Sequence, residues 1–175
     1  SPGDDMARRW LVPNIRVEQN HAEYWLNWAE GAGVSREDLL HKPAPAGTDG
    51  LYRWCEEISE QGTLAAGMVA TNYAIEGATG DWSHMIYESE KYRESFAPEV
   101  RASSLRWLHL HAAYDDTHPW EALEIVCTLM GTRPAPADVA HLRECIERSY
   151  MCMILLGDRC IRTHHELPLL REVAA

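Results

Sequence analysis

The chain has 175 residues, 46% apolar and 25% charged, so it holds enough apolar side chain for a buried core and lacks the composition of a disordered segment. Its 16 basic and 27 acidic residues give a formal charge of −11, which repels phosphate backbones and argues against nucleic acid as the main partner. No apolar run of about 18 residues is present to span a membrane, and no secretory leader is visible.

Apolar side chains recur with helical spacing nearly throughout, and no alternating β-branched run reads as a hairpin. Asp4 or Asp5 is placed to cap a first helix through Met6, Trp10, Leu11, Ile15, Val17, His21, Tyr24, Trp25 and Trp28, ending at Gly31-Ala32-Gly33. Pro13 lies inside it and is expected to kink or split it, because proline removes a backbone donor and clashes one turn back. Ser35 to Asp38 starts a short helix, and His41 to Asp49, with Pro43, Pro45 and Gly47, reads as a loop. A second long helical region begins near Gly50, with Gln61-Gly62 as an interruption and Gly77-Ala78-Thr79-Gly80 loosening or ending it after Glu76. Further helices are expected over Trp82 to Tyr92 and, after a break at Ser95 to Pro98, from Glu99 to about Thr117. Pro119 stops that helix or opens the next, Trp120 to Met130. After a turn at Gly131 to Pro136, the last helix covers about Asp138 to Thr163. The expected fold is all-α, with residues 1–175 forming a single helical domain.

Five cysteines, at 55, 127, 145, 152 and 160, make an odd set without a CxxC pair, which fits a reducing, cytoplasmic setting. Cys145, Cys152 and Cys160 share one face of the last helix, where small thiols serve as core.

Three sets of residues carry chemistry. Glu18 and His21 are three apart, as neighbours on a helix face are. His111, Asp115 and His118, spaced four and then three, stay on one side of a helix. Glu76 ends the otherwise apolar run Thr71-Asn72-Tyr73-Ala74-Ile75-Glu76, where a carboxylate needs a partner or a metal; Arg16 is one candidate partner. Singly, each pattern also occurs as a solvated face or a salt link. Together, three carboxylates and three imidazoles on different helices match the way helical bundles build di-iron and di-manganese centres. Two ferrous ions against three carboxylates leave one positive charge for an anionic substrate group.

Longer stretches carry a resemblance. Gly3-Asp4-Asp5-Met6-Ala7-Arg8-Arg9-Trp10-Leu11 with Asn14-Ile15-Arg16-Val17-Glu18, then Ala70 through Gly80, then Tyr114-Asp115-Asp116 with His118-Pro119-Trp120-Glu121-Ala122-Leu123-Glu124-Ile125, resemble the UndA-type fatty-acid decarboxylases. These belong to the di-iron oxidase branch of the heme-oxygenase-like, TenA/PqqC-like helical fold. The resemblance spans roughly Gly3 to Met130 and is looser beyond. It implies Glu18, His21, Glu76, His111, Asp115 and His118 as ligands of one or two Fe(II) ions, with O2 as co-substrate. It implies a medium-chain saturated fatty acid bound by its carboxylate, loss of a β-hydrogen, and release of CO2 to leave a terminal alkene, dodecanoic acid giving 1-undecene. An electron donor and a homodimer fit the same picture; a nucleic-acid or membrane-spanning partner does not. The family carries helices ahead of the segment matching Ser1 that wall part of the acyl pocket, and Pro13, five positions before Glu18, departs from an ordinary helical residue.

Leu64, Met68, Tyr73, Trp107 and Leu108 are candidates for an acyl tunnel or, more commonly for such residues, for core. Tyr73 and Tyr114 are candidates for feeding protons or electrons to the centre, Arg16 and Asp116 for supporting a ligand, and His109 for solvent. Three other functions compete. One is a di-iron oxygenase acting on an amino acid or amine. Another is a metal-free TenA-like thiamine-salvage hydrolase with Cys55 as nucleophile, and the last is a non-catalytic binding bundle in which these residues are salt links.

Overall fold

The computed structural model describes residues 1–114 and 117–173, with side chains as far as His164 except that of Tyr114. The described residues are helical, without strands: α1 (Pro2–Glu18), α2 (His21–Gly31), α3 (Arg36–His41), α4 (Gly50–Gln61), α5 (Leu64–Met68), a π-helical segment (Val69–Ile75), α6 (Glu76–Glu88), α7 (Glu90–Glu94), α8 (Pro98–Ser104), α9 (Arg106–Tyr114), α10 (His118–Met130) and α11 (Pro136–Val173). No described helix is long and apolar enough to cross a membrane.

Ser1, not Asp4 or Asp5, caps α1. Its hydroxyl accepts from the Asp4 backbone N–H, and the Asp4 carboxylate reaches back to the Ser1 amino group at 2.8 Å. Pro13 does not divide this helix. It sits on an exposed turn of α1, and the chain breaks instead at Gln19-Asn20. The interruption expected at Gln61-Gly62 is present, with the Thr63 side chain capping α5. The glycines from 77 to 80 do not end the next helix. α5, the π segment and α6 run on from Leu64 to Glu88, and α6 is closely packed at its first glycine, where a Cβ on Gly77 would lie 3.3 Å from Pro119. The helix expected from Glu99 to Thr117 is two, α8 and α9, parted at Leu105.

Two apolar clusters organise these helices. The larger joins Ala7, Trp54, Ile58, Met68, Val69, Ala70, Ile125, Val126 and Cys145, from α1, α4, α5, the π segment, α10 and α11. The smaller joins Phe96, Leu105 and Leu108 with Trp28, Ile86, Tyr87, Tyr92 and Trp107, fixing α2, α6 and α9 together. At about 25 cal/mol per Å2 of apolar surface, burying these side chains is the main force positioning the helix ends between the clusters.

The π segment is central. The N–H of Glu76 bonds the carbonyl of Thr71, five residues back, so Glu76 closes the last wide turn. The Thr71 hydroxyl donates to the Gly67 carbonyl at 2.8 Å.

Candidate metal centre

A cleft of about 340 Å3 lies where helix ends meet, lined by Arg16, Val17, Glu18, Asn20, His21, Tyr24, Glu76, Arg106, Leu110, His111 and His118. Five of the six residues singled out from sequence therefore line one cavity; Asp115, like Asp116, lies outside the described residues. The expected helix faces are corrected in detail. Glu18 closes α1 and His21 opens α2, so the pair straddles a joint. His111 belongs to α9 and His118 opens α10, with Pro119 at its start, so these two are not on one helix.

His21 Nδ1 lies 2.8 Å from Glu18 Oε2, yet that buried nitrogen has no aligned hydrogen-bond partner. Two donor atoms each about 2.0–2.2 Å from a shared first-row metal ion stand near this separation without a hydrogen bond between them. Opposite, His118 Nδ1 lies 3.3 Å from Glu76 Oε1, while Asn72 Nδ2 donates to Glu76 Oε2 at 3.2 Å. Glu76 thus pairs with His118 and Asn72, not with Arg16. His111 is 9% exposed and shares a Nδ1 contact of 2.8 Å with the Trp107 carbonyl, which fixes the tautomer with Nδ1–H donating and Nε2 carrying the lone pair. The His21 and His111 rings are 4.7 Å apart.

Burial pushes the Glu76 carboxyl above the usual range; its bonds to Asn72 and His118 oppose this, and the charge of Glu18 adds to it. Burial holds His111 below the ordinary imidazole value, against the pull of the Trp107 carbonyl. The raised Glu76 carboxyl is that of a buried acid short of a compensating cation, whereas the lowered His111 is that of an imidazole kept neutral by burial.

The donor set is imidazole and carboxylate, which suits iron, and the orphaned His21 nitrogen is the kind of atom a metal would satisfy. The two His–Glu pairs are in place. Among the described residues no three His, Cys, Asp or Glu side chains already converge on one point.

Sequence reasoning missed Arg106 and Tyr24. Arg106 lies on the cleft wall with its guanidinium 4.4 Å over the Tyr24 ring. They sit on different helices with no shared spacing, so no pattern along the chain signals them. Of the residues weighed between an acyl tunnel and core, four follow the commoner core reading: Met68 and Leu108 are buried, Tyr73 packs on the larger cluster and Trp107 on the smaller; Leu64 is exposed. His109 is exposed against the Tyr87 ring. The Tyr114 side chain lies outside the described residues.

An all-α bundle with carboxylates and imidazoles from different helices meeting at one cleft is the heme-oxygenase-like, TenA/PqqC-like architecture. Residues 7–152 match the family described as iron-containing redox enzymes, and the chain belongs to that family. Among solved structures it is similar to a TenA homologue from Pseudomonas syringae pv. tomato str. DC3000, with 51% identity and a TM-score of 0.89 over 93% of this chain. It spans 66% of that protein's length. No curated protein matches the chain.

Proposed function

We propose that this chain is an iron-dependent, O2-using oxidase of the UndA type that converts a medium-chain fatty acid, dodecanoic acid being the model substrate, to a terminal alkene and CO2. Glu18, His21, Glu76, His111, Asp115 and His118 would hold one or two Fe(II) ions. The observation that carries this reading is the buried His21 Nδ1, 2.8 Å from a Glu18 oxygen but without an aligned hydrogen-bond partner, in a cleft shared with Glu76, His111 and His118. Membership of an iron-containing redox family supports the metal.

Bound iron would supply the one-electron chemistry of O2 that side chains alone lack. The protein's part is to bind and orient. Arg106 and Arg16, on the cleft wall, provide guanidinium groups for a carboxylate headgroup. Val17, Tyr24 and Leu110 give the alkyl chain an apolar wall. His111, kept neutral by burial, offers Nε2, and a bound cation would favour the ionised form of the buried Glu76 carboxyl, which His118 and Asn72 already hold by hydrogen bonds. Loss of the β-hydrogen and the carboxyl group is a two-electron oxidation of the fatty acid; carrying O2 fully to water draws two more electrons from an external donor.

The test is anaerobic loading with Fe(II), then O2 and dodecanoate, with gas chromatography of the headspace. The expected result is 1-undecene that requires both iron and O2 and is abolished in Glu76→Ala and His111→Ala, with helicity retained. Iron bound without alkene would overturn the fatty-acid substrate and favour an amine or amino-acid oxygenase. Failure to bind iron would overturn the centre.

The likeness to a TenA homologue is compatible with a thiamine-salvage hydrolase. That chemistry needs an activated thiol, and burial pushes the Cys55 thiol up, away from reactivity. Cys55 is on α4 and does not line the cleft.

A further inference from the structure

Four tryptophans from three helices form a continuous aromatic path that begins on a cleft imidazole. The Trp107 ring lies 4.0 Å from the His111 ring, one helical turn along α9, and the Trp107 carbonyl accepts the His111 Nδ1–H. Trp28 stacks on Trp107 at 5.5 Å, nearly parallel at 8°. Trp25, one turn back on α2, is 5.0 Å from Trp107 and 4.8 Å from Trp28. Trp82, on α6, is 5.7 Å from Trp28 and 6.3 Å from Trp107. The path ends in solvent, since Trp25 is 44% and Trp82 38% exposed. Each separation is that of rings in contact.

Apolar burial alone does not call for this arrangement. Leucine fills a core at less cost in shape, and two of these four indoles stand substantially in water. Indole is among the most easily oxidised side chains, and it can give up an electron while keeping its N–H proton. A file of touching indoles therefore needs no proton acceptor at each step. On the other side of the cleft, Trp10 lies 5.7 Å from the His118 ring, but no second indole is in contact with it among the described residues.

We propose that Trp107, Trp28, Trp25 and Trp82 are an electron relay between the His111 side of the cleft and the protein surface. The inference rests on the iron-oxidase reading above. Each transfer moves one electron and no atoms. Trp107 is oxidised by one electron toward the cleft and refilled from Trp28, Trp25 or Trp82, and the exposed indole is refilled by a one-electron reductant in solution, such as ascorbate. Two passages deliver the two external electrons that full reduction of O2 requires and oxidise the donor by two. Without substrate, the same path drains oxidising equivalents away from His21, Tyr24 and His111.

The experiment loads the protein with Fe(II), measures bound iron, adds hydrogen peroxide without fatty acid, and maps oxidised residues by peptide mass spectrometry, with iron-free protein alongside. Iron-dependent oxidation is expected at Trp25 and Trp82 and is expected to be suppressed by ascorbate. Trp120, which is 64% exposed and touches Tyr73 but none of the four, should remain largely unmodified. In Trp107→Phe, with iron content and melting temperature checked, oxidation at Trp25 and Trp82 should fall severalfold while damage to His21, Tyr24 and His111 rises. Should Trp107→Phe not fold, the surface pair Trp25→Phe with Trp82→Phe removes the exit, and oxidation should accumulate at Trp107 and Trp28. Oxidation that follows exposure alone, with Trp120 foremost, overturns the relay, as does an unchanged pattern in iron-loaded variants. Absence of bound iron in the unaltered protein removes the metal-centre reading, and the relay with it; iron bound with an unchanged pattern removes the relay alone.

Discussion

The Ser149 hydroxyl on α11 donates to the Ala70 carbonyl in the π segment at 2.9 Å, and its oxygen accepts the Trp54 indole N–H at 2.8 Å. Ser149 is fully buried and Trp54 nearly so. A π turn disturbs the ordinary ladder of backbone bonds, and Ser149 supplies a donor to a carbonyl inside it. Because Glu76 closes the last turn of that segment, the α11 hydroxyl also helps set where this cleft carboxylate begins.

Ser149→Ala is therefore expected to cost about 1–3 kcal/mol, the penalty of leaving buried partners unsatisfied. Chemical denaturation should show a lower midpoint with an unchanged slope. A midpoint equal to the parent's would mean that the relay from Trp54 to Ala70 carries no net stability.

Gly31 ends α2 against α8. A Cβ there would lie 2.1 Å from the Ser104 Oγ and 2.6 Å from its Cβ, and Ser104 is 2% exposed, with little room to move. Gly31→Ala should destabilise by roughly 1–3 kcal/mol through overpacking, despite alanine's better helix propensity. Gly50→Ala, where nothing stands within 4 Å, is the matched control and should be neutral or stabilising in a thermal melt.

Glu57 on α4 and Arg148 on α11 form a two-bond pair, at 2.8 and 2.5 Å, and Arg148 also lies 4.1 Å over the Trp54 ring. The guanidinium holds the Glu57 carboxyl below its ordinary value. A carboxyl whose folded-state value is lowered stabilises the fold above its unfolded value, and that contribution fades as pH falls through the lowered one. The melting-temperature difference between the parent and Glu57→Gln should be present near neutral pH and shrink as pH drops below about 4. A difference independent of pH would show that the ion pair is not its source.

Cysteine reactivity should follow burial. Burial pushes the Cys55 and Cys145 thiols up, while Cys127 and Cys160 are exposed. Limited alkylation at neutral pH should modify Cys127 and Cys160 first, followed by mass spectrometry of the peptides. Preferential labelling of Cys55 would reveal an activated thiol and revive the hydrolase reading.

Much of the fold is written along the chain. Helical spacing, the Gly31-Ala32-Gly33 stop, the break at Gln61-Gly62 and the turn from Gly131 depend on local propensity and on glycine conformation, Gly131 having a φ of +72°. Ligand-type residues stood out because Glu76 ends an apolar run and because His and carboxylates recur at three- and four-residue intervals. Those intervals nevertheless suggested single helices where the structure has joints, at Gln19-Asn20 and at Thr117. Helical spacing is preserved across a short break, so periodicity alone does not reveal one.

By itself, the sequence determined the all-α class and the chemical types brought to the cleft, because side-chain period and donor chemistry are local properties. Tertiary structure decided the rest. The π winding between Met68 and Glu76 shifts the register by which a carboxylate leaves its helix. The approach of α6 to α10, close enough that a Cβ on Gly77 would lie 3.3 Å from Pro119, accompanies the 3.3 Å pairing of Glu76 with His118. Packing of α2 and α6 on α9 brings Trp25, Trp28 and Trp82 to Trp107, residues up to 82 positions apart along the chain, counting from 25 to 107. Such meetings follow from burying apolar surface between helices, which depends on the whole set of contacts and leaves no mark at any one position.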